Sequence, residues 1–393
     1  MKKNKQFKIY ATYFKNLNST IEAKDPFQIP LAVQKYFPGI RSKFISFNDT
    51  KDSNNISKKY KNNFELIFLR KIRFYKYNFD FLSIYFYLIS NARSIDYFFY
   101  YYFGKKPYLP DVLIGLFYKF FNKKGNLILR LEYSSNLYPE SFPLVESLTW
   151  QDSLYNYVVK RLFSVVDIFA APEVSELTSI RAKKNIRQNN GARIISIYNG
   201  FTLPKDIIIN DFKKKRNLVS IVGRLNEEWK GLSVLLNAIS DIDLKDWQIN
   251  CIGEFDGIQF TNKHPNLIEK VISKHGHKVN FCGHISKKTE YYKLLNDSKI
   301  IINIYEYDGF PLSLSEALGL GNVPIVSDLP NYNYLTGYGE FGFIIPVKDV
   351  EKLKLLLEDI IDHKYDLETM SAKANKFAKN NLTWENIVKK LPL

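Results

Sequence analysis

The sequence predicts an α/β protein of two Rossmann-like domains, and three observations carry that prediction. The chain has 393 residues, enough for two domains of ordinary size. Between 218 and 362, apolar strand-like runs alternate with helix-like runs, which means parallel strands with helices on both faces. Near the start, FKIYATYF (7–14) reads as the first strand of such a domain.

The C-terminal half is the more legible. LVSIVG (218–223) is a continuous apolar run closed by glycine, as expected of a buried parallel strand. KGLSVLLNAI follows with helical spacing, then WQINCIG, NLIEKVI, KVNFCG, TEYYKLLN, KIIINIY, PLSLSEALGL, VPIVSD, GFIIPV and VEKLKLLLEDI. Strand and helix characters alternate along this series. The domain boundary is expected in the polar stretch 203–216, which ends in Lys213, Lys214, Lys215 and Arg216. From about 366 the chain is helical again. The expected organisation is therefore 1–202, 203–365 and a terminal segment 366–393.

Four charged residues in the second half point to chemistry. Arg224 follows Gly223 at the carboxyl end of its strand, where open α/β sheets bind ligands. Lys230 and Gly231 open the next helix, whose free N–H groups and positive dipole end attract anions. After KIIINIY, Asp308-Gly309-Phe310 forms a turn, and Pro311 suits the first helical position because it lacks an N–H. Glu316 lies on that helix, and Gly319 and Gly321 end it. Two fixed cations suit a diphosphate, and a carboxylate just beyond them suits sugar or ribose hydroxyls. Each residue also has a plainer reading: Arg224 and Lys230 as surface cations, Asp308 as a favourable charge at a helix entrance, Glu316 as an ordinary helix residue.

Taken together, these positions resemble retaining glycosyltransferases of the GT-B fold, family 4. The family pattern is a Gly-Arg, a Lys-Gly and two glutamates with seven residues between them. Gly223-Arg224, Lys230-Gly231 and the pair Asp308 and Glu316 match it, with Asp where Glu is usual. Glu306 is two residues too far from Glu316 to take that place. Tyr198-Asn199-Gly200, Cys251-Ile252-Gly253, Phe281-Cys282-Gly283 and Thr383-Trp384-Glu385 agree with the same family. The resemblance is firm over 190–393 and loose over 1–190. It implies two Rossmann-like domains facing across a cleft, with the C-terminal helices returning to the first domain. It implies that Arg224 and Lys230 neutralise the diphosphate of a nucleotide-sugar donor and stabilise the departing nucleotide. Asp308, Gly309, Phe310, Pro311 and Leu312 would meet the donor sugar, Glu316 the ribose, and Gly253 and His284 would edge the nucleotide pocket. Arg224, Lys230 and Asp308 would be the catalytic residues. The shorter Asp308 puts donor identity or efficiency in question rather than the reaction class.

Charge is uneven along the chain. Residues 1–200 hold 31 Lys and Arg against 15 Asp and Glu, whereas residues 201–393 hold 25 of each. The whole excess of +16 therefore lies in the N-terminal half. That half is also rich in aromatics, above all DFLSIYFYLI (80–89) and DYFFYYYFGKKPYLP (96–110). A basic, aromatic surface could dock on anionic lipid or hold a lipid-pyrophosphate acceptor. Buried strands and helices are the more ordinary use of such runs.

The N-terminal half is expected to bind the acceptor, a lipid-linked or polysaccharide glycan. Lys24-Asp25 before a helix-like IPLAVQKYF resembles the opening of bacterial surface-polysaccharide transferases. Arg130 and Glu132 lie at the end of a strand-like NLILRLEYSS and are acceptor-side candidates beside Lys24, although satisfied structural polar residues would look the same.

No apolar run approaches the ~20 residues of a spanning helix. MKKNKQFKIYATYF lacks the apolar stretch of a signal peptide. The only two cysteines, Cys251 and Cys282, end predicted buried strands, so no disulfide framework exists. A reducing cytoplasm is expected, with the inner face of the membrane as the docking surface. The donor motif has no His or Asp pair at metal-ligand spacing, and Asp241-Ile242-Asp243 reads as a helix-end loop. No metal and no other cofactor is therefore expected. A P-loop is absent, which argues against ATP hydrolysis. The +16 charge raises nucleic-acid binding as another class, but it leaves the neutral half unexplained. A non-catalytic sugar-nucleotide-binding relative, with Asp308 marking a lapsed site, is the nearer alternative; an epimerase would share the fold without needing an acceptor.

Overall fold

The computed structural model describes residues 7–47, 51–61, 63–74, 77–102, 108–131, 149–171, 191–308 and 310–393. The chain divides into two compact units, Met1–Asn199 with Trp384–Leu393, and Gly200–Thr383.

The first unit is built on strands β1 (Lys8–Asn16), β2 (Ile40–Phe47) and β3 (Glu65–Leu69), a short antiparallel ribbon β4 (Arg73–Phe74) and β5 (Tyr77–Asn78), and strands β6 (Tyr97–Tyr102), β7 (Asn126–Leu131), β8 (Ile168–Ala171) and β9 (Arg193–Ser196). Seven of them pair in parallel in the order β3-β2-β1-β6-β7-β8-β9. Because both faces are covered, the strands read as apolar runs rather than as alternating ones. Tyr97–Tyr101 illustrate this: each is at most 6% exposed, so the aromatic run is a central strand. One face packs under the helices Phe81–Asn91, Leu109–Phe121 and Trp150–Val165. Ile29, Ala32 and Val33 of helix Asp25–Tyr36 cover the other, together with Trp384, Ile387 and Val388 of the last helix.

The second unit has β10 (Arg216–Val222), β11 (Gln248–Ile252), β12 (Val279–Gly283), β13 (Ser298–Asn303), β14 (Val323–Ser327) and β15 (Phe343–Ile345). Their order is β12-β11-β10-β13-β14-β15, all parallel. Successive strands run outward from β10 on one side and from β13 on the other. The order therefore reverses between β10 and β13, and the crevice at their carboxyl ends is the expected ligand site of such a sheet.

The chain re-enters the first unit at Trp384, later than the 366 expected from sequence. Helix Leu367–Asn381 stays with the second unit because Ser371 donates to the Gly321 carbonyl and Asn375 to the Gly319 carbonyl, each at 2.6 Å. The division at 199/200 also falls slightly before the predicted one. Buried Lys215 donates to the carbonyls of Asn296 (2.7 Å) and Ser298 (3.2 Å), which ties the predicted linker to the second sheet.

Candidate functional site

The crevice between β10 and β13 gathers the charged motif. Gly223 follows β10, and its N–H donates to Ile252 (3.0 Å), while Gly253 donates to the Gly283 carbonyl (2.9 Å). Gly253 has φ +141°, and a Cβ there would sit 1.7 Å from the Gly223 carbonyl oxygen, so only glycine allows the two strand ends to approach this closely. Gly231 opens helix Leu232–Ser240 at φ +74°, with the Ile304 carbonyl 2.4 Å from where its Cβ would be. Gly253 thus brings the end of β11 against the start of the 223–231 loop, and Gly231 brings the end of that loop against Ile304, just after β13. The single turn Glu228–Lys230 is anchored by Glu228, which Ser233 and His264 (2.9 Å) both engage.

Lys230 is 9% exposed, and its ammonium has no hydrogen-bonded or ion-paired partner among the described residues. Aromatic rings surround it instead: Nζ lies 4.0 Å from the Trp229 ring centre and 3.6 Å from that of Tyr305. Burial pushes the ammonium down to about 8, against partial recovery from Asp308 and a further push from Arg224. Arg224 is 65% exposed, 3.5 Å from Glu227 and 5.8 Å from the Trp229 ring centre. Two cations thus stand at the strand-end crevice, and the inner one has no carboxylate in hydrogen-bond or ion-pair contact among the described residues.

Asp308 bears electrostatically on both Lys230 and Tyr305. Its Oδ2 accepts from the Tyr332 hydroxyl (3.1 Å) and its carbonyl from Asn331 (3.3 Å). Burial and then Asp308 push the Tyr332 phenol well up, so it remains a donor. Tyr305 donates to the Val222 carbonyl (2.5 Å) and so joins the ends of β13 and β10. Arg224, Lys230 and Asp308 therefore share one electrostatic environment.

Glu316 belongs to helix Leu312–Gly319, for which Pro311 is the N-cap residue rather than the first helical one. It is 4% exposed, and its Oε1 accepts from Lys288 (2.8 Å) and the Tyr292 hydroxyl (2.6 Å). The adjacent Tyr291 phenol is raised by burial, then by Glu316 and Tyr292, and also by Tyr305, which connects Glu316 to the Lys230 surroundings. The plain reading of Glu316 as an exposed helix residue does not hold. Phe310 and Pro311 are buried, Leu312 is half-buried and His284 is exposed just after β12. Gly309 lies outside the described residues.

The acceptor-side candidates fare differently. Arg130 is fully buried and has partners inside the first unit, as in the structural reading given beside its candidacy. Its guanidinium lies 3.6 Å from the Asp25 carboxylate and donates to the Ile197 carbonyl and the Asn199 side chain (3.5 Å). Tyr101 adds a 3.3 Å bond to Asp25. Asp25 stands beside Lys24 in the sequence, but nothing there pairs it with Arg130. Lys24 is exposed at the N-cap of that helix, and Glu132 lies outside the described residues.

Sequence reasoning also missed Trp229, Tyr305, Lys288 and Tyr292, which hold the motif residues in place. Trp229 and Tyr305 adjoin motif positions, which is the signal that could have found them; Lys288 and Tyr292 gave none.

Comparison with known proteins agrees with this geometry. Residues 204–381 match the family model described as Glycosyl transferases group 1. A phosphatidyl-myo-inositol mannosyltransferase of Mycolicibacterium smegmatis is 22% identical over 184 residues, 42% of this chain and 46% of that protein, so the chain aligns with about half of that relative's length. Among solved structures, the Anabaena protein HepE in complex with UDP superposes with TM-score 0.66 at 15% identity, covering 98% of each chain. A glycosyltransferase from Rickettsia africae gives TM-score 0.66 at 15% identity over 98% of this chain and 96% of its own. Sucrose-phosphate synthase from Thermosynechococcus elongatus gives 0.63 at 14% over 98% and 97%. Residues 204–381 are thus similar to the glycosyl transferases group 1 model, in a chain with the GT-B fold.

Proposed function

We propose that the protein is a nucleotide-sugar-dependent hexosyltransferase of the family 4 type, which transfers its sugar with retention of configuration. One observation carries this reading: Lys230 is a nine-tenths buried ammonium without a carboxylate bonded to it, beside a second cation at a strand-end crevice. Desolvating an unpaired charge is costly, so such a group persists where an anionic ligand completes it. A donor diphosphate supplies that anion. As the bond from the anomeric carbon to the diphosphate oxygen breaks, the leaving nucleoside diphosphate gains negative charge, and Arg224 and Lys230 stabilise it in place of a metal ion. Asp308 would meet the sugar and Glu316 the ribose. UDP is the first nucleotide to test, because HepE was solved with it.

The acceptor is proposed to be a lipid-linked glycan in surface-polysaccharide or glycolipid synthesis, reached from an anionic membrane surface. Support comes from an exposed helix face of the first unit. Trp150 (73% exposed), Leu154 (44%) and Tyr157 (62%) recur at i, i+4 and i+7 on one helix face, and Lys160 and Arg161 follow on the same helix. No described helix is long and apolar enough to cross a membrane.

The experiment is nucleotide release from UDP-, GDP- and ADP-sugars by wild type, Arg224→Ala and Lys230→Ala, with product configuration read by NMR. Loss of turnover in both folded variants is expected; wild-type rates in both sink the assignment. The shorter Asp308 favours one alternative, a relative that binds donor without turnover. In that case only Asp308→Glu would show turnover.

A further inference from the structure

Cations in binding sites are commonly kept in place by carboxylates, which also consume their charge. Here rings take that part. Trp229 stacks on Tyr307 (4.7 Å, 16° between planes) and meets Tyr305 edge-on (5.9 Å, 82°). Both Lys230 and Arg224 lie over its ring. Its carbonyl accepts from the Glu306 N–H (2.9 Å), which fixes the loop to the end of β13. Its indole N–H donates to Glu227 Oε2 (3.2 Å), while Oε1 of the same carboxylate stands 3.5 Å from Arg224.

We propose that Trp229 is a positioning residue for diphosphate recognition: its indole, backed by Tyr307, holds Arg224 and Lys230 as a preorganised pair and restrains Glu227 from neutralising Lys230. The proposal rests on the donor-site reading above and adds a residue to it. A π face attracts an ammonium without taking its hydrogen bonds, so the Lys230 donors remain for phosphate oxygens. Bonding Glu227 through the indole N–H keeps that carboxylate on the outer cation. The charged groups bearing on Lys230 are Asp308, Arg224 and Glu227, and of these only Glu227 is bonded to Trp229.

The test is calorimetric titration of UDP, GDP and ADP into wild type, Trp229→Phe and Trp229→Leu between pH 6 and 9.5. Trp229→Phe, which keeps a ring face but loses the indole N–H that holds Glu227, should bind the preferred nucleotide about threefold more weakly than wild type, and Trp229→Leu, which loses both, about tenfold more weakly at pH 7. The pH at which affinity begins to fall should move in Trp229→Leu, because Lys230 then sits in a more hydrated, differently charged environment. A purely structural role would lower melting temperature and leave that break where it is. If Trp229→Leu does not fold, Tyr307→Leu removes the backing ring alone and should shift the same break; an unmoved break overturns the proposal. Equal affinity of wild type and a folded Trp229→Leu overturns this proposal only. Failure of wild type to bind any of the three nucleotides overturns the donor-site reading and this proposal with it.

Discussion

Lys230→Met should stabilise the ligand-free protein while removing its capacity for a diphosphate. The ammonium is lowered from 10.5 to about 8 by burial, so the fold holds this proton less tightly than the unfolded chain does. Below pH 8 both states are protonated, and the native state carries the full cost of the buried charge. At ~1.4 kcal/mol per tenfold change in proton affinity, the drop from 10.5 to about 8 corresponds to a cost of about 3 kcal/mol. That cost fades as pH rises from 8 towards 10.5. Methionine keeps the unbranched stem without the charge, and the cation–π attraction it gives up is worth ~1–2 kcal/mol. The net gain is about 1–2 kcal/mol, or roughly 2–8 °C in the transition of the second unit. Scanning calorimetry at pH 7 should show that rise, and at pH 10 the gap between the proteins should narrow. A lower melting temperature for Lys230→Met at pH 7 would refute the reasoning, because it would mean that the site does not strain the free protein.

Nucleotide affinity should be flat below pH 8 and fall above it, by up to about tenfold per unit, because a bound diphosphate restores the Lys230 proton and binding then takes one up; titrations in buffers of different ionisation enthalpy would count it. Glu316→Gln should weaken donor binding at least about tenfold, and Lys288→Met should do so to a smaller extent by releasing the carboxylate that it grips at 2.8 Å, as measured by donor KM. Asp25→Ala leaves the fully buried Arg130 without its carboxylate and should cost the first unit about 3–5 kcal/mol in denaturant melts. Trp150→Ser with Tyr157→Ser should cut sedimentation with phosphatidylglycerol vesicles several-fold and leave nucleotide release from the donor unchanged.

Much of the second unit was legible because its information is local. A parallel strand announces itself as an apolar run, and glycine marks its end, so the carboxyl-end positions of Arg224 and Lys230 followed from counting residues. Asp308 could be brought to the same crevice only through the motif, since nothing in the sequence states that β13 lies beside β10. The aromatic box was hidden for a compositional reason. In a chain with 27 Tyr and 30 Phe, Tyr305 and Tyr307 carry no distinguishing signal. Lys288 and Tyr292 were invisible because their contact with Glu316 joins two helices that only the fold brings together. For Arg130 the sequence left a ligand-facing and a structural reading side by side, because its partner Asp25 is distant in sequence and only the fold brings the two together.

The most direct test of the account is calorimetric titration of UDP, GDP and ADP into the wild-type protein and into Arg224→Ala, at pH 7 and low salt. One nucleotide is expected to bind wild type at a single site and Arg224→Ala at least about thirtyfold more weakly, since a charge-assisted phosphate contact is lost. Absence of binding to wild type, or equal binding by both proteins, would contradict it.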